Sequence, residues 1–209
     1  MSFHQYFYLF HSYNKFFIKT IFKTKYIFLN IIVLSFLMEK IQAHIIGEII
    51  SSNSAEAYSL YKKSNFGEKV EDKIQYSFSE ILFLVENKKM DVFSGNKKIQ
   101  KEALLKKLRR FDKKIQIKYP VFKDLRIKGY VIKTALKFGA DFRVYPKGAK
   151  PGKKHAKWIV FVDHESKKLT WHEFSAKNRV AHSTKKNLLL AILDEEGDVT
   201  YYEVSWIKP

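Results

Sequence analysis

The sequence predicts an α+β protein made of two small mixed α/β domains, and three observations predict it. With 46% hydrophobic and 16% aromatic residues in a length of 209, the chain can bury real cores. Strand-like and helix-like segments follow one another without an internal repeat. Beyond Tyr119 the texture changes to strand-like alternation punctuated by glycine turns, which divides the chain into halves over residues 38–118 and 119–209.

Residues 1–37 stand outside that pattern. They contain no Gly, Ala, Pro, Asp, Glu or Arg, yet hold eight of the chain's eighteen Phe with many Ile, Lys, Tyr and Asn. Such residues are encoded mainly by A and T, so the segment reads as AT-rich upstream DNA translated from a start placed too early, with Met38 the true start. A targeting or membrane segment is the competing reading, because Lys15, Lys19, Lys23 and Lys25 precede an apolar run over residues 26–38. That run is shorter than the roughly 20 residues of a spanning helix, and no small-residue cleavage site follows it. A genuine N-terminal arm is the third reading.

In the first half, the Ile-rich residues 40–50 read as a strand, and 54–63 carry Ala57, Leu60 and Tyr61 at helical spacing. Ser77 followed by Glu80 forms a capping box, after which Phe78, Ile81, Leu82 and Val85 continue on one helical face. Residues 97–111 are expected to form a third helix, with Leu104, Leu108 and Phe111 as its buried stripe and Lys106, Lys107, Arg109 and Arg110 outward. In the second half, a short helix over 121–128 precedes strands over 130–137, 141–145 and 158–163, with turns at Gly139 and through 148–152. Ser175 is expected to cap a helix running to about Lys186. Strands over 188–193 and 199–207 then flank the acidic turn Asp194-Glu195-Glu196-Gly197-Asp198.

The formal charge of +18, from 39 Lys and Arg against 21 Asp and Glu, generates a strong positive field. Without residues 1–37, 35 basic residues still face 21 acidic ones, a net +14. Such a field suits a polyanion, and both nucleic acid and an anionic membrane surface fit it. The absence of cysteine excludes disulfides, thiolate zinc sites and cysteine nucleophiles, and suits an intracellular protein.

Chemistry concentrates in the second half. Residues 147–157 (KGAKPGKKHAK) place five Lys around His155 and a Pro-Gly turn, a positive loop in which Lys153 and Lys154 are natural phosphate ligands. Tyr145 ends a strand before Pro146, so its ring is expected to project from the sheet edge rather than enter the core. On a helix from Ser175, Arg179 and Lys186 would share one face with His182 and Ser183 between them. Singly, each of these is an ordinary packing or surface residue. Their order and spacing carry the information.

The run from Asp124 to Thr134 (DLRIKGYVIKT) and the run from Phe138 to Tyr145 (FGADFRVY) resemble the archaeal tRNA-intron endonuclease family. The resemblance continues through His155-Ala156-Lys157, Arg179-Val180-Ala181-His182-Ser183, Lys185-Lys186, Tyr201-Tyr202-Glu203-Val204 and Lys208-Pro209, covering roughly the last 90 residues. Residues 38–118 match that family only in length and general pattern. Two departures are Asn187, where relatives often continue the basic run, and Trp158.

The resemblance implies a C-terminal catalytic domain with a mixed sheet packed with helices. It further implies Tyr145 as general base, His155 as general acid, and Lys186 as the cation facing the developing phosphorane charge. A free phenol is mostly protonated at neutral pH, so the first role needs a nearby cation such as Lys186. The implied reaction uses neither metal nor cofactor: the ribose 2′-OH attacks the adjacent phosphate, leaving a 2′,3′-cyclic phosphate and a 5′-OH. The implied substrate is a bulge-helix-bulge in precursor tRNA, with Arg179 clamping a splayed base. Asp194, Glu195, Glu196 and Asp198 would serve assembly, the single-gene form being a homotetramer, with a cytoplasmic location and no membrane partner. A non-catalytic RNA-binding or structural subunit of the same complex is the alternative, and a membrane-associated or secreted basic protein rests wholly on residues 26–38.

Overall fold

The structure is a computed structural model and describes residues 39–207. The expectations for residues 1–37 lie outside the described residues. Among the described residues two mixed sheets and five α-helices follow in chain order, and from Lys40 onward they pack as one unit.

Strand β1 (Ile41–Ile46) alternates strictly, burying Ile41, Ala43 and Ile45. The expected single strand over 40–50 is instead a hairpin. Gly47, at φ +59°, takes the left-handed turn conformation and sends the chain back as β2 (Ile49–Ser52). Ser54 then caps α1 (Ala55–Ser64), accepting from the Ala57 amide at 3.3 Å. The short hairpin β3 (Glu68–Val70) and β4 (Lys73–Gln75) leads to α2 (Phe78–Glu86), which carries the expected capping box from Ser77 and Glu80.

Beyond β5 (Met90–Ser94), residues 97–111 are not one helix. Lys97–Ile99 form β6 in a hairpin with β5, and α3 spans only Lys101–Phe111. Leu104 and Leu108 are buried as expected, whereas Phe111 lies outside the core. The first sheet has the order β3-β4-β2-β1-β5-β6.

Helix α4 (Ile115–Ile127) starts six residues before the expected 121–128. Pro120, which removes an amide and ordinarily interrupts a helix, lies within it, and buried Ile115, Val121, Phe122 and Leu125 pin the helix on both sides of that point. The expected division at 118/119 therefore falls inside α4. The main core runs across it without a break, from Ile41, Ile50 and Leu84 through Phe122 to Val144, Val160 and Ala191. Glu86, at the end of α2, receives Lys123 and Tyr119 from α4 and Lys101 from α3. Lys123 foremost, then Lys101 and Tyr119, hold its carboxyl down to about 2.

The second sheet has the order β11-β10-β9-β8-β7. Its strands are β7 (Val131–Ala135), β8 (Ala140–Tyr145), β9 (Trp158–His164), β10 (Asn187–Leu193) and β11 (Val199–Val204). Leu136–Phe138 form a 3-10 turn after β7, so the expected strand over 130–137 is shortened. Only β9 and β10 pair in parallel in this sheet, joined by α5 (Trp171–Ser183). The cap of α5 is Thr170, not Ser175: Thr170 and Glu173 exchange a full capping box, and Ser175 lies inside the helix.

One buried ion pair ties the halves. The Lys133 ammonium, on β7, reaches Glu80 Oε1 at 3.0 Å and the Gly67 carbonyl at 2.5 Å, and both side chains are about 95% covered. Glu80 also accepts from the Gly67 amide at 2.9 Å and from Ser77, so one carboxylate caps α2 and anchors β7 together. Gly67 permits this close approach. It sits at φ +72°, and a Cβ there would meet Ile74 Cγ2 at 2.4 Å and the Gln75 carbonyl at 2.9 Å.

Candidate active site

The antiparallel pairing of β8 with β9 and the parallel pairing of β9 with β10 bring three strand termini to one rim. They are the end of β8, the start of β9 and the start of β10. Val144 and Asn187 both register with Trp158, and the bonds continue one step outward. The Lys157 amide donates to Val144 O, and the Asn187 amide to Lys157 O, each at 2.9 Å. Tyr145 and Lys186 therefore flank Lys157, and at the usual strand spacing their Cα atoms lie about 10 Å apart. His155 leads into the middle strand of the three.

Tyr145 departs from expectation. Its ring does not stand free of the sheet edge but is only 5% exposed, packed with Val131, Ala149 and Ala156. Alternation along β8 gives Val144 to the main core and Tyr145 to the opposite face. Among the described residues the buried side-chain atoms without a partner are Tyr76 Oη, Arg143 Nε and Trp158 Nε1, and Tyr145 Oη is not one of them. Tyr145 Oη makes no hydrogen bond to any of the described residues.

The same small cluster holds the histidine loop. Ala149 and Ala156 are buried against Tyr145, and the chain makes two tight turns, one through Gly148 just before Ala149 and one through Gly152 between the two alanines, both glycines at positive φ. His155 adjoins the second of these anchors and is exposed, as are Lys153 and Lys154. The loop thus presents its histidine and cations outward from two apolar fixings.

Lys186 does not lie on a helix, and the expected shared helical face with Arg179 is absent. Helix α5 ends at Ser183, and Lys185 turns into the left-handed region at φ +54° before β10 begins. The half-buried Lys186 donates through Nζ to Thr184 O at 2.6 Å and lies 5.9 Å from the centre of the Phe138 ring. Beside it is a cavity of about 260 Å³, whose lining includes Asn178, His182, Lys185, Lys186, Ser205 and Trp206. His182 and Trp206 meet edge to face there at 4.7 Å. Arg179 is exposed one turn before the end of α5 and does not line that cavity.

The acidic turn lies at the other end of the sheet. The seven residues of β10 put Lys186 and Asp194 eight steps apart, about 26 Å at the rise of a strand. The turn is held internally, the Asp198 amide donating to Asp194 Oδ1 at 2.7 Å and the Asp194 amide to Asp198 O at 3.1 Å. Among the described residues Asp194, Glu195, Glu196 and Asp198 form no ion pair.

A larger cavity, about 590 Å³, follows the seam between the halves past Glu80, Lys133, Lys118 and Asp141, and contains none of the candidate catalytic residues. Among the described residues no cluster of three His, Asp or Glu side chains could hold a metal ion, and no helix is long and apolar enough to cross a membrane. Sequence reasoning missed Lys157 as the middle of the rim and the cavity between the ends of α5 and β11. Both depend on strand order, which no local pattern encodes.

Comparison with known proteins places the chain among enzymes of one kind. A family model described as the tRNA intron endonuclease catalytic C-terminal domain matches residues 115–201, and the model of the N-terminal domain of the same enzymes matches residues 42–105. The tRNA-splicing endonuclease of Thermococcus kodakarensis is 41% identical over 160 residues, 77% of this chain and 94% of the relative. That of Pyrococcus abyssi is 39% identical over 169 residues, 80% and 97% of the two chains. That of Nanoarchaeum equitans is 41% identical over 146 residues, 67% and 93%.

Proposed function

Since the chain belongs to the tRNA intron endonuclease family and is an RNA-cutting enzyme that acts on precursor tRNA, we propose that the rim formed by β8, β9 and β10 is where the cut is made. The observation that carries this reading is the convergence of Tyr145, His155 and Lys186 on three adjacent strand ends. The ribose 2′-OH attacks the neighbouring phosphorus as its proton passes to Tyr145. The bond to the 5′-oxygen breaks as His155 supplies that oxygen with a proton. Lys186 faces the extra negative charge of the phosphorane between these steps. The products are a 2′,3′-cyclic phosphate and a 5′-OH, with the RNA as its own nucleophile and no metal or cofactor taking part.

The substrate feature is a bulge-helix-bulge. Lys153 and Lys154 supply mobile cations for its backbone, and Arg179 offers a guanidinium plane to a splayed base. The compartment is the cytoplasm, where precursor tRNA is processed. A bulge-helix-bulge RNA incubated with the enzyme in EDTA is expected to be cut, with cyclic phosphate and 5′-OH termini found by end-group analysis. A 2′-deoxy substitution at the cleaved nucleotide is expected to abolish cutting. Unimpaired cleavage of the deoxy RNA would sink the mechanism.

Assembly is a homotetramer in this reading, with the acidic turn seated in a positive recess of a neighbouring subunit. The support is that four carboxylates stand together, with no ion pair among the described residues, at a sheet end remote from the rim. Reversing the charges of Asp194, Glu195, Glu196 and Asp198 together is expected to lower the mass seen by light scattering. An unchanged mass would return the turn to an ordinary solvated loop.

A further inference from the structure

We propose that Lys185 is a second phosphate-binding lysine of this site, holding the RNA phosphate next to the one that Lys186 faces. The inference rests on the reading of Lys186 given above.

The backbone between α5 and β10 provides the argument. The Lys185 amide closes on His182 O and the Lys186 amide on Ala181 O, both at 2.9 Å. With Lys185 left-handed at φ +54°, these two bonds form the motif in which the left-handed position is ordinarily glycine, because any side chain is strained there. A lysine held in a glycine position has its side chain retained against a conformational cost, and here the side chain has somewhere to go. Successive residues point about 100° apart in a helix and 180° apart in a strand, so neighbouring lysines ordinarily diverge. The left-handed turn brings both into one lining, that of the cavity of about 260 Å³.

The two ammonium groups are not equivalent. Lys186 Nζ is turned back onto Thr184 O, while Lys185 is exposed and makes no ion pair among the described residues. Among the described residues no carboxylate lines the cavity, whose other walls include the polar groups of Asn178, His182 and Ser205. Glu203, on the neighbouring strand, is engaged by Asn187 and Lys157. Two cations and further hydrogen-bonding groups in a recess beside the rim suit a phosphodiester anion.

The test uses the full chain and a bulge-helix-bulge RNA carrying a 2′-deoxy nucleotide at the cut, so that binding is measured apart from cleavage. Lys185→Gly keeps the turn and removes the cation, and Lys185→Arg keeps the cation. Lys185→Gly is expected to bind about tenfold more weakly, as for one lost charge-assisted bond. Its log–log salt slope is expected to be shallower by about 0.7, the share of one phosphate contact. Its melting temperature should be no lower than that of the parent chain, since glycine relieves the turn, and Lys185→Arg should restore both affinity and slope. On unmodified RNA the kcat of Lys185→Gly is expected to stay within about twofold, with the loss in KM. A Lys185→Gly protein that melts normally and binds with unchanged affinity and slope overturns the proposal, as does a fall in kcat at unchanged affinity. Parental cleavage by Lys186→Ala would instead fail the reading of the rim, and the salt slope would still decide this one.

Discussion

Alanine at His155 or at Lys186 is expected to slow cleavage of a bulge-helix-bulge RNA by about 10²- to 10⁴-fold, the range of a lost proton donor or of a lost charge opposite the transition state. RNA affinity should change little. His155 is exposed on its loop and makes no packing contribution to the small cluster of Tyr145, Val131, Ala149 and Ala156, so its removal leaves the loop's apolar fixings in place. Lys186 loses one bond to Thr184 O, while the closing backbone bonds of α5 do not depend on its side chain. The informative measurement is single-turnover cleavage at saturating enzyme, beside direct binding of a deoxy-blocked RNA. Rates equal to the parent in both variants would show that the trio is misassigned. A proportional loss of binding and rate would place the two residues in RNA docking rather than in the chemical step.

The second large effect concerns the seam. Lys133→Ala is expected to lower stability by about 3–5 kcal/mol, because it strands the Glu80 carboxylate in the interior without its cation. For a chain of this size that corresponds to roughly 6–20 °C in Tm. Glu80 would keep its bonds from Gly67 and Ser77, which satisfy lone pairs but do not neutralise the charge. The double variant Glu80→Gln with Lys133→Met is expected to recover much of the loss, since neither partner then carries a buried charge. Urea unfolding monitored by circular dichroism decides the matter. A single variant within about 1 kcal/mol of the parent would mean that water reaches Glu80 readily and that the pair does not hold the halves in register.

Much of this architecture was legible residue by residue, and the misses have physical causes. The capping box of Ser77 with Glu80 is local, so its spacing suffices. The box at Thr170 and Glu173 has the same signature, but Ser175 drew the helix start five residues late. Gly95 and Asn96 signal the turn into β6, yet the Lys-rich residues that follow continue the amphipathic pattern of α3 and hide a three-residue strand. Pro120 ordinarily marks a helix boundary, and here tertiary packing carries α4 through it. At the site, the identities of Tyr145, His155 and Lys186 follow from resemblance. Their neighbourhood follows only from the order β10-β9-β8, a pairing among segments far apart in sequence. The burial of the Tyr145 ring was likewise hidden, because the residues that cover it, Val131, Ala149 and Ala156, come from a strand and both ends of a loop.

The single parallel pair of the second sheet also sets a timetable for synthesis. A chain that has emerged through β9 carries Tyr145 and His155 but neither α5 nor β10, and hence no Lys186 beside them. Parallel neighbours need a crossover before they can pair, so the rim is completed only when nearly all of the chain has left the ribosome. Unfinished chains that end before β10 therefore lack one of the three strands of the proposed cutting site.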